Sequence, residues 1–283
     1  MNNNLDSLLP QDMALTAEDV GVSKAHMGIM KTTVLAILAG AFIAFGAVFA
    51  TLVTSGSNMA YGVTKLLGGV AFSLGLILVV VGGAELFTGN NLLTMAWANK
   101  KVTTKQVLLN WLVVYAGNMF GAFSIVIMIL LSGHYLFGGG VTGANMLTIA
   151  AAKCELGFVQ ALFLGILCNI LVCLAIWLCY SARSVHGKIL AIIFPITAFV
   201  AAGFEHSVAN MYFIPMGILV KEWGDPSLWD FIQATPQQFE SLTWMNYFVG
   251  NLLPVTIGNI IGGAIFVGLA YWFIYLSKWN NHH

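Results

Sequence analysis

Hydrophobic positions run unbroken through most of this chain, and polar positions are confined to short intervals between the runs. Such a pattern predicts helices apolar on every face, not amphipathic ones. A bilayer-crossing helix needs about 20 apolar residues. Six stretches qualify: roughly 32–54, 66–98, 106–131, 157–180, 189–220 and 244–276. The second and fifth are longer than one crossing requires, and each is interrupted. The first interruption reads Gly82-Gly83-Ala84-Glu85-Leu86-Phe87-Thr88-Gly89-Asn90-Asn91, the second Ala202-Gly203-Phe204-Glu205-His206-Ser207-Val208-Ala209-Asn210. In both, a Gly stands two residues before a Glu, a hydroxyl residue comes soon after, and an Asn closes the stretch. Irregular backbone at membrane depth is tolerated only where it is buried in protein or lines a cavity. Two Gly-broken segments at corresponding places in two halves point to a permeation site near the bilayer midplane.

The halves repeat elsewhere. Gly117-Asn118-Met119-Phe120-Gly121-Ala122 in the third run matches Gly258-Asn259-Ile260-Ile261-Gly262-Gly263 in the sixth, and each offers small residues for close helix packing. Three crossings per half force the halves into opposite topology. The expected architecture is therefore an all-α polytopic membrane protein of six transmembrane helices arranged as two inverted three-helix repeats, with helices two and five broken. Repeat one covers about 31–132 and repeat two about 157–279, together a channel domain of 31–279; residues 1–30 form a cytoplasmic amino-terminal segment and 280–283 a short cytoplasmic tail. In the amino-terminal segment, Thr16-Ala17-Glu18-Asp19 is expected to open a short amphipathic helix reaching Lys24.

Composition agrees with the membrane reading. Of 283 residues, 59% are hydrophobic and 8% charged, with mean hydropathy +0.88; a soluble domain carries about 25% charged residues. A net charge of +0 leaves no basic footprint for nucleic acid. The polar, acidic first thirty residues contain no apolar core of a cleavable signal. With the amino terminus inside, cytoplasmic parts hold Lys24, Lys31, Lys100, Lys101, Lys105, Arg183, Lys188 and Lys278, against Lys65, Lys153 and Lys221 outside, a count of 8 to 3. The bias places both termini in the cytoplasm. Trp97, Trp111, Trp177, Trp244, Trp272 and Trp279 fall near predicted segment ends, as interfacial anchors do.

An ionisable residue at membrane depth is a functional candidate by default. His206 is the sharpest, because imidazole changes charge near neutral pH; the plainer alternative is a packed histidine bonded to a helix end. Glu85 and Glu205 are read as structural groups at the breaks, since a bare carboxylate would repel an anion. Thr88 offers a hydroxyl that both donates and accepts. Asn169 and Asn259 are amides in apolar helices, suited either to satisfy the broken backbone or to join helices. Phe72, Leu76, Val172 and Phe199 carry, by periodicity alone, no more than core packing. Three of the four cysteines lie in one apolar run without metal spacing, and neither a metal nor a cofactor is expected. The Gly138-Gly139-Gly140 run comes after no strand and reads as a loop, and no hydrolase, P-loop or zinc-protease motif occurs. An enzyme is not expected.

These residues resemble the formate/nitrite transporter family, and among its members the formate channels. The resemblance spans nearly the whole chain. It is carried by Gly203-Phe204-Glu205-His206-Ser207-Val208-Ala209-Asn210-Met211, Ile214-Pro215-Met216-Gly217, Pro254-Val255-Thr256-Ile257-Gly258-Asn259-Ile260-Ile261-Gly262-Gly263, Phe72-Ser73-Leu74-Gly75-Leu76 and Glu85-Leu86-Phe87-Thr88. The resemblance implies an aquaporin-like protomer, a homopentamer with one pore per protomer, and His206 as the central pore histidine with Thr88 in a flexible loop. It further implies a cytoplasmic-side constriction of Leu76, Leu86, Phe87 and Val172, and a periplasmic-side one of Phe72 and Phe199. Lys153 would be the basic residue of the outer vestibule, Asn169 a polar partner near the pore, and Lys24 a further match in the amino-terminal region. The chain departs from the formate-channel pattern at Glu85, where Asp is common, and at Gly89-Asn90-Asn91, where small hydroxyl residues are more usual.

The reading is a channel of the bacterial inner membrane that passes formate, with nitrite, hydrosulfide and acetate as related solutes and membrane lipid as its surroundings. Two routes stay open: His206 protonates formate and the neutral acid crosses, or a local positive potential carries the anion. The alternatives are a nitrite or hydrosulfide channel and a proton-coupled formate transporter.

Overall fold

The structure is a computed structural model that describes residues 7–277; Lys278, Trp279 and the expected tail 280–283 lie outside them. Eleven helices organise the described residues. Helix α1 is Pro10–Ala25, α2 Ile29–Thr54, α3 Tyr61–Gly82, α4 Thr94–Ala98 and α5 Thr104–Leu131. Helix α6 is Val141–Cys154, α7 Phe158–Ser181, α8 Val185–Ala201, α9 Ser207–Trp223, α10 Ser227–Ile232 and α11 Asn246–Tyr275. Five of them, α2, α3, α5, α7 and α11, are long and apolar enough to cross a bilayer. The sixth crossing is made by α8 and α9 end to end, with the second break between them.

Both breaks start the same way. Gly83 and Gly203 end α3 and α8 in left-handed conformation, with φ of 76° and 73°, where a side chain would be strained. Beyond these glycines the two breaks diverge. The first passes through a 3₁₀ turn, Gly89–Leu93, into the five-residue α4, whereas the second enters the 17-residue α9 directly.

Glycines set the closest helix crossings. A Cβ on Gly121 would lie 1.9 Å from the Ile37 carbonyl oxygen, and one on Gly262 would lie 2.3 Å from that of Ile166. The repeated Gly-Asn-x-x-Gly stretches therefore press α5 onto α2 and α11 onto α7. In the other direction, Leu112, Phe120 and Phe194 stay exposed, the apolar outside expected of a protein whose surrounding solvent is lipid.

Two local expectations change. Helix α1 begins at Pro10, not at Thr16, because proline's fixed φ suits the first helical position. It packs Met13, Ala14 and Ala17 against Met95 and Trp177. The glycine run, with φ of 64°, 66° and 84° at residues 138–140, is a turn that feeds α6, an additional helix whose mixed composition concealed it between the third and fourth apolar runs.

Candidate permeation site

Each break exposes backbone groups that lipid cannot satisfy, and each is closed by an asparagine from the crossing helix. Asn118 Nδ2 donates to the Glu85 and Ala36 carbonyls at 2.9 and 2.7 Å, and Phe87 N–H donates to Asn118 Oδ1 at 2.9 Å. Asn259 Nδ2 donates to the Glu205 and Gly165 carbonyls at 3.0 and 2.8 Å, and Ser207 N–H donates to Asn259 Oδ1 at 2.9 Å. Asn259 thus bonds broken backbone and links α11 to α7 at once.

The carboxylates repeat the same plan. Glu85 pairs with Lys24 at 3.1 Å and accepts from Asn90 Nδ2 at 2.7 Å, and Asn90 also donates to Asn110. Glu205 pairs with Lys153 at 2.7 Å and accepts from Asn210 Nδ2 at 2.6 Å, and Asn210 also donates to Asn251. A buried carboxylate is tolerable when its charge is paired and its lone pairs are bonded. Each network ends on the lysine's own backbone, where Asn110 and Asn251 donate to the Lys24 and Lys153 carbonyls at 3.4 and 2.9 Å. Lys24 sits at the end of α1 and Lys153 at the end of α6, so these two helices occupy corresponding places in the two halves.

The two lysines belong to separate cavities. One, of about 240 Å³, is lined by Lys24, Glu85, Leu86, Val79 and Lys188. The other, of about 280 Å³, is lined by Lys153, Glu205, His206, Phe72 and Phe199. Along α3, Phe72 faces the second cavity and Val79 the first, about 10 Å apart at 1.5 Å per residue; Leu76, buried, lies between them.

His206 opens α9 as its N-cap. Ala209 N–H donates to Nδ1 at 3.0 Å, so Nδ1 carries no proton. On a neutral ring the proton then sits on Nε2, 3.0 Å from Thr88 Oγ1, to which it donates. This bond joins the two breaks, 118 residues apart in the chain. The Phe199 ring stacks on the imidazole at 5.9 Å, and Phe72 meets Phe199 edge-on at 5.8 Å.

Among the other predicted residues, Asn169 Nδ2 donates to the Asn259 carbonyl, to Asn91 Oδ1 and to the Thr88 carbonyl at 2.7, 2.8 and 3.3 Å. Val172 is buried on α7 one turn from Ile176, which lines the Lys24 cavity. Phe87 is brought to neither lysine cavity. Its ring turns away toward α5 and packs on Trp111 and Tyr115 at 6.3 and 4.8 Å, because neighbouring residues Leu86 and Phe87 cannot face the same side of so tight a turn. As partners of the carboxylates and the broken backbone, Asn90, Asn110, Asn118, Asn210 and Asn251 were not singled out by sequence reasoning, which met Asn90, Asn118 and Asn210 only inside the repeated motifs. The signal that would have found two of them is the equal spacing from Glu85 to Asn90 and from Glu205 to Asn210. Among the described residues no cluster of His, Cys, Asp or Glu could hold a metal, and all four cysteines are free.

A family model for formate/nitrite transporters matches residues 11–273. The chain belongs to the formate/nitrite transporter family. Among curated relatives it is 48% identical to formate channel FocA of Escherichia coli K12 over 283 residues, covering 100% of this chain and 99% of the relative. It is 42% identical to formate channel FocA of Haemophilus influenzae over 271 residues, covering 95% of each. Among solved structures, a pentameric formate channel with formate bound superposes with a TM-score of 0.84 at 47% identity, covering 88% of this chain and 98% of that one. An FNT family ion channel superposes with a TM-score of 0.78 at 27% identity, covering 93% and 98%. For a formate/nitrite transporter, then, the two mirrored lysine cavities and the His206–Thr88 contact between the breaks are the centre of interest.

Proposed function

We propose that this family member is a formate channel of the bacterial inner membrane, assembled as a homopentamer with one pathway per protomer and both termini in the cytoplasm. It is not an enzyme. The 1–30 segment docks through α1 beneath a membrane domain of 31–279. The likeness to formate channels supports the solute and the assembly, and the 8-to-3 bias of basic residues supports the orientation.

The observation that carries the mechanism is the pair of bonds on His206. With Nδ1 accepting from Ala209 and Nε2 donating to Thr88, the resting ring is neutral, and the Thr88 hydroxyl proton is left for a solute acceptor. Formate gathers in the lysine cavities, where Lys188 beside the Lys24–Glu85 pair and Lys65 beside the Lys153–Glu205 pair leave a positive charge to offset desolvation, and meets Thr88 between them. Inward passage at low pH uses both ring nitrogens. A proton from the Lys153 cavity binds Nδ1 and displaces the Ala209 N–H. Nε2 then gives its proton to Thr88 Oγ as the Thr88 hydroxyl proton moves to formate. The ring returns to neutrality with its proton on Nδ1, and exchange with solvent restores the capped tautomer. One proton enters from the cavity and one leaves on formic acid, so the cycle balances. Outward passage of the anion needs the Thr88 donor but not this relay.

The test is flux into liposomes of formate, nitrite, hydrosulfide and acetate side by side at several pH values. Formate flux that exceeds acetate flux and rises as the outside is acidified supports the reading; absence of formate flux removes it. Accumulation of formate against its gradient would instead make the protein a proton-coupled transporter.

A further inference from the structure

The two halves are near mirror images in how asparagine and lysine hold the breaks, which makes a place where they differ informative. Around the Thr88 carbonyl stands a polar cluster with no counterpart in the other half. Pairing the repeats by their shared contacts sets Asn169 against Gly40, Cys173 against Ala44, Asn91 against Met211 and Thr88 against Val208. Every polar member of the first set faces an apolar or side-chain-free residue in the second.

The cluster has a job in the first break only. Thr88 precedes a 3₁₀ turn, whose hydrogen-bond geometry is poorer than that of an α-helix. Its carbonyl is taken up by α7, accepting from Asn169 Nδ2 and from the Cys173 thiol, each at 3.3 Å. Asn91 Nδ2 donates to the Phe87 carbonyl at 3.3 Å, and Asn91 Oδ1 accepts from Asn169. Space for the cluster is left by Gly263 on α11. A Cβ there would lie 2.4 Å from Asn169 Nδ2, 2.8 Å from Cys173 Sγ and 2.9 Å from Asn91 Cβ. In the other half the residue corresponding to Gly263 is Ala122, because nothing polar needs the room.

We infer that Cys173 is a positioning residue of the permeation path: seated against Gly263 with Asn91 and Asn169, its thiol holds the Thr88 carbonyl and so fixes the direction of the Thr88 hydroxyl. The inference rests on the reading of Thr88 as the solute-facing donor. Cys168, on the same helix and equally buried, gives the control, since its thiol makes no bond to the loop among the described residues.

The experiment is a double-mutant cycle read as formate flux in liposomes. One net hydrogen bond corresponds to about a fivefold change in an equilibrium. Cys173→Ala is expected to lower formate flux about fivefold in the wild-type background, to lower it no further in a Thr88→Val background, and to flatten the pH profile; Cys168→Ala leaves flux unchanged. Cys173→Ser, which keeps a donor, retains more flux than Cys173→Ala. Equal losses from Cys173→Ala in both backgrounds, or equal behaviour of the Cys173 and Cys168 variants, overturn the inference. So does loss of the assembled oligomer in both Cys173 variants, which makes the thiol a packing group. If Thr88→Val alone leaves flux unchanged, the reading of Thr88 fails first, and the two failures are told apart.

Discussion

Replacing His206 by two different residues separates its two bonds. As N-cap it accepts the Ala209 N–H at 3.0 Å, and across the breaks it donates to Thr88 at 3.0 Å. Asparagine is among the best N-caps, so His206→Asn keeps the first bond and is too short for the second. His206→Ala loses both. A lost N-cap costs about 0.5–2 kcal/mol and a lost buried hydrogen bond about 1 kcal/mol net. The expected destabilisation is therefore about 1 kcal/mol for Asn and about 1.5–3 kcal/mol for Ala. A gap of about 0.5–2 kcal/mol corresponds to a Tm difference of roughly 1–8 °C between the variants for a chain of this size. Thermal unfolding of the purified oligomer reads that gap. Directional formate flux at two pH values reads the function. His206→Asn is expected to lose inward flux at low pH more than outward flux, since in the proposed relay only the inward route uses both ring nitrogens. Asn and Ala variants of equal stability would show that His206 does not cap α9. Equal loss of flux in both directions would reduce the ring to a spacer, and unchanged flux would remove it from the pathway.

Thr88→Val keeps shape and removes the donor, so formate flux should fall while the oligomer still assembles on size-exclusion chromatography. Asn259→Leu strips a fully buried residue of three bonds at the second break; at about 1 kcal/mol or more each, a loss of about 3–5 kcal/mol should show as a large fall in Tm, and Asn118→Leu should match it. Deleting residues before Val22 should leave the oligomer intact but change how flux responds to pH; loss of the oligomer would make α1 part of the fold's foundation. The bond from Lys101 to the buried Glu18 raises the Lys101 pKa above the usual lysine value of 10.5. A raised folded-state value means that this stabilisation of α1 docking is present below 10.5 and is lost only as pH rises through the raised value. Proteolysis at α1 should accordingly accelerate in that alkaline range and not near neutrality.

Much of this molecule is legible in the order of its residues. Six crossings can be read from the length of apolar runs, and the two breaks from Gly83 and Gly203, because run length and left-handed glycine positions are local properties of the chain. The repeat is visible in Gly117–Gly121 and Gly258–Gly262, since close helix contact demands small residues at fixed spacing. The family, too, is carried by contiguous motifs around His206 and Asn259. Helix α6 was hidden because its apolar and polar residues are too mixed to form a run. What the tertiary structure alone decided is pairing. Lys24 reaches Glu85, Lys153 reaches Glu205 and His206 reaches Thr88 across long stretches of sequence. Only the packing of α1, α5, α6 and α11 on the breaks brings them within bonding distance. The direction of Phe87 is decided in the same way, by aromatic partners on α5. Apolar burial drives whole runs into the membrane without regard to detail. A hydrogen bond or an ion pair forms only when both partners arrive at one point, and that point exists only in the folded chain.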